Sequence, residues 1–209
     1  MSPTLLTKVL LVEDHIVVRD GLAAVLATMS DCLLVGAVGT GAEALAAVPT
    51  FEPDVVLLDV HLPDISGLEV MRQLRTAPKC PAFLILTSSD SDHTIRQAFD
   101  LGARGYVIKS GGVDELTQAV QAVARGKRYL SRDAAEQLLE YRDTPNLTAR
   151  EVEVLRFASF GLTNAEIAKQ FGVSERAIKS QFAAVFTKLQ TSDRTSAVVI
   201  ALRRGILDQ

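Results

Sequence analysis

Glu13 and Asp14 directly follow the apolar run Val9-Leu10-Leu11-Val12, and Asp59 closes the run Val55-Val56-Leu57-Leu58. Thr87 follows Phe83-Leu84-Ile85-Leu86, and Lys109 follows Tyr106-Val107-Ile108. Four strand-like runs therefore end in acids, a hydroxyl and an ammonium. Gathered on one edge, the paired acids and Asp59 make an oxygen-rich, negatively charged pocket, which suits a hard divalent ion such as Mg2+ that keeps several waters. With charge repulsion offset in this way, the Asp59 carboxylate can attack a phosphoryl group and become an aspartyl phosphate. Lys109 would offset the charge on the phosphoryl oxygens as a point-charge ligand, and Thr87 would donate a hydrogen bond to them.

An α/β sheet brings such residues together. Strands are expected at 8–12, 33–38, 54–59, 82–87 and 105–108, each continuously apolar, as parallel strands buried on both faces are. Between them, Val18, Leu22, Val25 and Leu26 recur at helical spacing, as do Leu68, Met71 and Leu74, then Ile95 and Phe99, and Leu116, Val120 and Val123. The pattern predicts a doubly wound, five-stranded parallel sheet with five helices. In such sheets the ligand crevice lies outside the carboxyl ends of the strands, where all four polar sites fall.

The chain has 209 residues, 48% of them hydrophobic and 22% charged, enough for two small cores. No apolar stretch reaches the ~18 residues of a membrane span, and Met1-Ser2-Pro3-Thr4 lacks the basic start of a signal segment, so a cytoplasmic protein is expected. Cys32 and Cys80 have neither zinc-site spacing nor disulfide density and read as core or surface thiols. His15, His61 and His93 likewise lack metal-site spacing, and surface roles are expected. The net charge of −3 is unevenly spread: residues 1–145 carry 13 Lys and Arg against 19 Asp and Glu, and residues 146–209 carry nine against six. The basic end is the candidate for a polyanionic partner.

After Gly126 the pattern changes. Lys127 to Ser131 leads into a short polar helix from Asp133 to Tyr141, and Arg142 to Asn146 reads as linker, with Pro145 disfavouring helix at Thr144. The expected domains are 1–126, a linker with a short helix at 127–146, and 147–209. In the last, Thr148 with Glu151 and Thr163 with Glu166 are capping-box patterns, and Ser174 and Ser192-Asp193 are plausible caps for two more helices, giving a small all-α unit of four helices.

Residues 8–125 resemble a CheY-like, flavodoxin-like receiver domain of a two-component response regulator. The resemblance rests on Leu11-Val12-Glu13-Asp14, Leu57-Leu58-Asp59-Val60-His61-Leu62-Pro63-Asp64-Ile65-Ser66-Gly67, Ile85-Leu86-Thr87 and Gly105-Tyr106-Val107-Ile108-Lys109. It implies that a sensor histidine kinase phosphorylates Asp59. It also implies Mg2+ held by Asp14 and Asp59, by Glu13 through water, and by the backbone carbonyl of His61, with Thr87 and Lys109 on the phosphoryl group. Tyr106 would then be a switch residue that turns inward; the other reading is a core aromatic with its hydroxyl at the surface. His61 and Ser89, two residues after Asp59 and Thr87, stand where the family tunes phosphoryl lifetime.

Gly161-Leu162-Thr163-Asn164-Ala165-Glu166-Ile167-Ala168 followed by Phe171-Gly172-Val173-Ser174-Glu175-Arg176-Ala177-Ile178-Lys179 reads as helix, glycine turn and longer helix. The segment resembles the LuxR-type helix-turn-helix of the NarL/FixJ class. That implies a recognition helix at 174–189 for the major groove of double-stranded DNA and a fourth helix at 193–204 that often pairs two copies in a homodimer. Ile178, Phe182, Val185 and Leu189 form the stripe to be buried. Arg176, Ser180, Ala183 and Thr187 lie opposite at ~100° per residue, with Lys179 beside them. Arg150, Lys169, Lys188 and Arg194 are further candidates for backbone contacts. Three positions depart from the family pattern. Ala177 offers no hydroxyl to a phosphate, Gln181 replaces a histidine, and Gln190 replaces the glycine that gives the usual left-handed cap.

These readings combine into a phosphorylation-dependent transcription regulator. The rival is a phosphoryl-accepting signalling adaptor that acts through protein contacts. A phosphohydrolase is disfavoured, because His61 stands where a second acid after Asp59 would supply general-acid catalysis.

Overall fold

Runs that are apolar at every position have to be covered on both faces, and this makes the first unit a parallel sheet between helices. The structure, a computed structural model, describes residues 6–76, 79–88, 91–140, 145 and 147–207. It folds as two units, one drawn from residues 1–90 and 95–136, the other from 91–94 and 137–209. In chain order, β1 (Thr7–Val12), β2 (Cys32–Val38), β3 (Val55–Leu58), β4 (Ala82–Thr87) and β5 (Gly105–Ile108) alternate with α1 (Ile16–Thr28), α2 (Gly41–Phe51), α3 (Gly67–Leu74), α4 (Asp92–Asp100) and α5 (Val113–Ala124). Val55, Val56, Leu57 and Leu58 are all fully buried, each contributing about 1.5–3 kcal/mol of burial free energy.

The sheet has six strands rather than the five expected, in the order β2-β1-β3-β4-β5-β6. β6 (Tyr129–Leu130) lies parallel to β5, with Tyr129 beside Gly105 and Leu130 beside Tyr106. Two residues carry no periodicity, so this strand is set by pairing alone. α6 (Arg132–Glu140) follows and matches the short polar helix read from Asp133 onward. Tyr141, Ser89 and the linker positions 142–144 and 146 lie outside the described residues.

Strand order places the chemistry. β1 has β2 on one side and β3 on the other, the reversal of order at which α/β sheets form their crevice. The register sets Val12 beside Leu58 and Thr87 beside Ile108, so Glu13 and Asp59 leave the sheet as neighbours, as do Thr87 and Lys109. Backbone hydrogen bonds extend both pairings one step further, from Asp59 N to Val12 O at 3.0 Å and from Lys109 N to Thr87 O at 2.8 Å.

The second unit contains α7 (Ala149–Ser159), α8 (Asn164–Phe171), α9 (Glu175–Leu189) and α10 (Arg194–Arg203). Thr148 with Glu151 and Thr163 with Glu166 form complete capping boxes, while Ser174 and Asp193 cap α9 and α10. Ile178, Phe182, Val185 and Leu189 are buried as their spacing requires, against Val154, Leu155, Ile167, Ala197 and Ala201. The turn between α8 and α9 runs through Gly172 at φ 64°, a left-handed conformation that glycine takes without steric cost. Gln190 corrects one sequence expectation. It does not forgo the left-handed cap of α9 but adopts it, at φ 52° and ψ 45°, with its amide donating to Phe186 O and Thr187 O. The carbonyls left open at the end of α9 and the chain reversal into α10 outweigh the Cβ penalty of that conformation, ~1–2 kcal/mol.

Candidate functional site

The carboxyl ends of β1, β3, β4 and β5 bring Glu13, Asp14, Asp59, Thr87 and Lys109 to one edge. Glu13 is 1% exposed, Asp59 4% and Thr87 fully buried. Lys109 Nζ lies 2.6 Å from Glu13 Oε2 and 2.7 Å from Asp59 Oδ2, so one ammonium bridges the two buried acids. Burial draws this ammonium's pKa down, but hydrogen bonds to Asp59 and Glu13, with their charges, outweigh it and hold Lys109 above the ordinary lysine value. Asp59 Oδ1 accepts from the His61 amide at 3.3 Å. Tyr106 is completely buried in β5 rather than wetting its tip.

Asp14 is a quarter exposed and faces the opening, with His15 Nδ1 2.8 Å from its Oδ1. Among the described residues, ligand-type atoms of Glu13, Asp14 and His15 lie within 4.8 Å of one another. The spacing of the histidines gives His15 no part in such a group, because these three residues are consecutive at a strand-to-helix turn rather than spaced as ligands usually are. Chemically, the carboxylates that Glu13, Asp14 and Asp59 bring to this edge are all oxygen donors, the kind that suits a hard divalent cation. An open cleft of about 580 Å3 adjoins Asp14, walled by Ile16, Arg19, Gly39, Thr40 and Pro63 among others.

Several residues that shape this edge have no role assigned to them in the sequence, although Asp64 and Gly67 stand within the stretch that carries the receiver resemblance. Arg19 Nη1 donates to the Glu13 carbonyl at 2.8 Å, holding the turn after β1 from α1. Gly67 lies so close to the Asp59 carbonyl that a Cβ there would stand 2.1 Å from that oxygen, and its amide donates to Val60 O at 2.8 Å. Asp64 Oδ1 and Oδ2 accept from the amides of Gly41 and Ala42, each at 2.8 Å. Glycine eight residues after a strand-end acid was a readable sign of close approach; the Arg19 and Asp64 contacts carry no local signal.

In the second unit Arg176, Lys179, Ser180, Ala183 and Thr187 are exposed on α9, while Ala177 and Gln181 are half-buried. Lys179 Nζ pairs with Glu175 Oε1 at 2.9 Å across one turn, both exposed. Lys188 points elsewhere: its Nζ lies 2.7 Å from Oε2 of the buried Glu151. Burial pushes the Glu151 carboxyl up, but Lys188 and the Thr148 hydrogen bonds hold it below the usual glutamate range. Arg150 stacks on the Phe171 ring at 3.4 Å, and Arg194 lies over Phe182 at 5.2 Å while donating to the Leu162 carbonyl.

Comparison with known proteins accounts for both units. Residues 9–121 match the response regulator receiver domain, and residues 145–201 match the luxR family of bacterial regulatory proteins. The chain is 36% identical to the transcriptional regulatory protein YdfI of Bacillus subtilis, over 97% of this chain and 98% of that one. It is 39% identical to the DNA-binding transcriptional activator DevR/DosR of Mycobacterium tuberculosis, over 94% of each. Among solved structures it is similar to the response regulator ChrA of a heme-sensing two-component system, with 31% identity, a TM-score of 0.57 and coverage of 97% and 99%. It shares its fold with the response regulator RcsB in a DNA complex, with 24% identity, a TM-score of 0.72 and coverage of 93% and 97%. Motifs, sheet order and relatives agree: the chain belongs to the response regulators that join a receiver domain to a LuxR-type regulatory domain.

Proposed function

We propose that this chain is a cytoplasmic transcription regulator in which Asp59 accepts a phosphoryl group from a sensor histidine kinase and the LuxR-type unit binds double-stranded DNA, as a homodimer once phosphorylated. The observation that carries the reading is the buried pair Glu13 and Asp59 bridged by Lys109 at 2.6 and 2.7 Å. The proposed domains are 1–126, the linker 127–146 and 147–209, a division supported by family matches at 9–121 and 145–201.

Glu13, Asp14, Asp59 and the His61 carbonyl would hold Mg2+, which when bound offsets the charge of the acids and of an incoming phosphoryl group. Both Asp59 oxygens are engaged in the structure, Oδ2 by Lys109 and Oδ1 by the His61 amide. The carboxylate is therefore oriented before a donor arrives, and the ammonium needs only to move from the acid oxygen to a phosphoryl oxygen. Asp59 forms its new bond to phosphorus as the donor's bond to nitrogen breaks. Thr87, fully buried beside this point, donates to a phosphoryl oxygen, and buried Tyr106 follows it as the switch that changes the outer surface. The chain takes up phosphoryl groups one per molecule rather than turning over an external substrate.

On α9 the DNA-facing set is Arg176, Lys179, Ser180, Ala183 and Thr187, all exposed. Lys188 was expected with them, but its contact with buried Glu151 makes it a support for α9 instead. This leaves a thin cationic face and favours, as the second reading, an adaptor that takes phosphate and acts through protein contacts. Two measurements decide. Phosphoryl incorporation from a kinase or acetyl phosphate should require Mg2+ and vanish in Asp59→Asn; retention of the label in that variant overturns the acceptor assignment. Duplex binding by the full chain should weaken steeply with salt, and no binding at low salt would favour the adaptor.

A further inference from the structure

The loop that leaves β3 at Asp59 and enters α3 at Gly67 is held at two places. At its ends Gly67 is pressed against the Asp59 carbonyl. In its middle, Asp64 reaches 22 and 23 residues back in sequence to the first turn of α2, where its two carboxylate oxygens take the amides of Gly41 and Ala42 at 2.8 Å each. The neighbouring Ile65 completes the contact: a Cβ on Gly41 would stand 2.4 Å from Ile65 Cγ1 and 2.9 Å from Val70 Cγ2, so only glycine lets the loop lie this close. α2 does not need Asp64 to begin, because Thr40 is its own cap and accepts the Glu43 amide at 3.1 Å. Asp64 satisfies two further amides that an α-helix leaves open at its start. These bonds hold the Asp64 carboxyl below the usual carboxylate range.

We propose that Asp64 is a positioning residue for the cation site, fixing against α2 the loop that presents the His61 carbonyl, so that metal occupancy and the start of α2 are coupled. This rests on the metal reading given above. His61 lies three residues before Asp64, and its amide is already tied to Asp59 Oδ1, so little slack remains between the clamp and the carbonyl. Groups that orient ligands without touching the metal commonly set its affinity, and coupling of this kind runs both ways.

The test titrates magnesium chloride into the full chain by calorimetry. Asp64→Ala should weaken Mg2+ binding about tenfold, the lower bound typical of lost outer-shell support. Asp64→Asn keeps one acceptor oxygen and should recover part of that affinity. Ser174→Ala removes the cap of α9 in the second unit, a loss of comparable stability that touches neither the loop nor α2, and should leave Mg2+ affinity unchanged. In the unaltered protein, saturating Mg2+ should slow hydrogen exchange at the Gly41 and Ala42 amides severalfold, a readout that survives if Asp64→Ala fails to fold. Equal Mg2+ affinity in the unaltered protein and in Asp64→Asn and Asp64→Ala, or an equal loss in Ser174→Ala, overturns the positioning role and leaves the metal site standing. Exchange at Gly41 and Ala42 that Mg2+ does not change overturns the coupling. Absence of Mg2+ binding by the unaltered protein overturns the metal reading itself and this inference with it.

Discussion

Lys109→Ala isolates the electrostatics of the acceptor edge. The ammonium sits between carboxylates that are 1% and 4% exposed, at 2.6 and 2.7 Å. Removing one partner of a buried ion pair costs about 3–5 kcal/mol, because the remaining charge is left without compensation in a poorly hydrated place. The Lys109 side chain is itself 19% exposed, so water can reach the vacated position and the expected loss falls toward ~2–3 kcal/mol. Its folded pKa is raised, so its contribution is complete below the ordinary lysine value of 10.5 and fades only as pH rises through the folded value; the deficit in the variant should thus be flat through neutral pH. With the ammonium gone, Glu13 and Asp59 repel each other, and a cation bound there relieves the strain. Free ligand at a hundred times its Kd stabilises by about 2.7 kcal/mol, so saturating Mg2+ should bring the variant close to the stability of the metal-free unaltered protein. Hydrogen exchange at Val56 and Leu57 in the centre of the sheet reads this without interference from the second unit. Adding Asp59→Asn to Lys109→Ala should recover part of the stability in the absence of metal, since one of the facing charges is gone. A deficit under ~1 kcal/mol, the worth of a surface pair, would refute the buried-pair argument. So would a deficit that neither Mg2+ nor Asp59→Asn reduces.

Three further outcomes follow from other parts of the chain. Gln190→Gly should stabilise the second unit by about 0.5–1 kcal/mol, the left-handed Cβ penalty less the extra freedom of glycine in the unfolded chain, and a lower urea midpoint would refute the strained cap. The Glu151 carboxyl is held below the usual range, so its pairing with Lys188 contributes fully above its unfolded value of 4.5 and is lost as pH falls through the folded value; Lys188→Met should therefore flatten the acid limb of the second unit's unfolding curve. Partial burial, with the charge of Asp31, pushes the Cys32 thiol up to about 11, whereas Cys80 is exposed, so a thiol reagent at neutral pH should label Cys80 first and Cys32 more slowly, and equal rates would contradict this.

The acceptor edge was legible because each of its residues ends a buried run, and parallel strands align the ends of such runs whatever lies between them. Asp59, Thr87 and Lys109 needed only the assumption of one sheet. β6 was not legible, since Tyr129 and Leu130 are strand by virtue of lying beside Gly105 and Tyr106, not by their own pattern. Arg19 and Asp64 were missed for a related reason. Each acts through a backbone group of another element, a carbonyl at Glu13 and amides at Gly41 and Ala42, and backbone groups are the same in every sequence.

The α9 face was legible in direction but not in charge. Helical spacing sorts exposed from buried positions correctly for Ile178, Phe182, Val185 and Leu189, yet Lys188 lies at the edge of that stripe, where spacing does not decide. Its destination is Glu151, already assigned by its sequence pattern to capping α7 with Thr148; a single carboxylate does both. Cations on such a face therefore have to be counted after their internal partners are known. Lys179 and Glu175 are both exposed, and a pair of that kind is worth about 0–1 kcal/mol, so a phosphate can displace the glutamate. Drawing Lys188 toward a phosphate would instead leave Glu151 buried without its counter-charge, at a cost of several kcal/mol. Arg150 and Arg194 lie between these limits, since Arg150 stacks on Phe171 with Glu153 Oε2 3.7 Å from its Nη1, and Arg194 lies over Phe182 while donating to the Leu162 carbonyl, so each keeps only part of its guanidinium for a phosphate. On the proposed DNA-facing reading, the electrostatic part of the affinity rests on Arg176, Lys179 and the exposed Lys169, with the stacked Arg150 and Arg194 as further cations, and replacing Arg176 should lower the salt dependence of binding while replacing Lys188 should act through the stability of the fold.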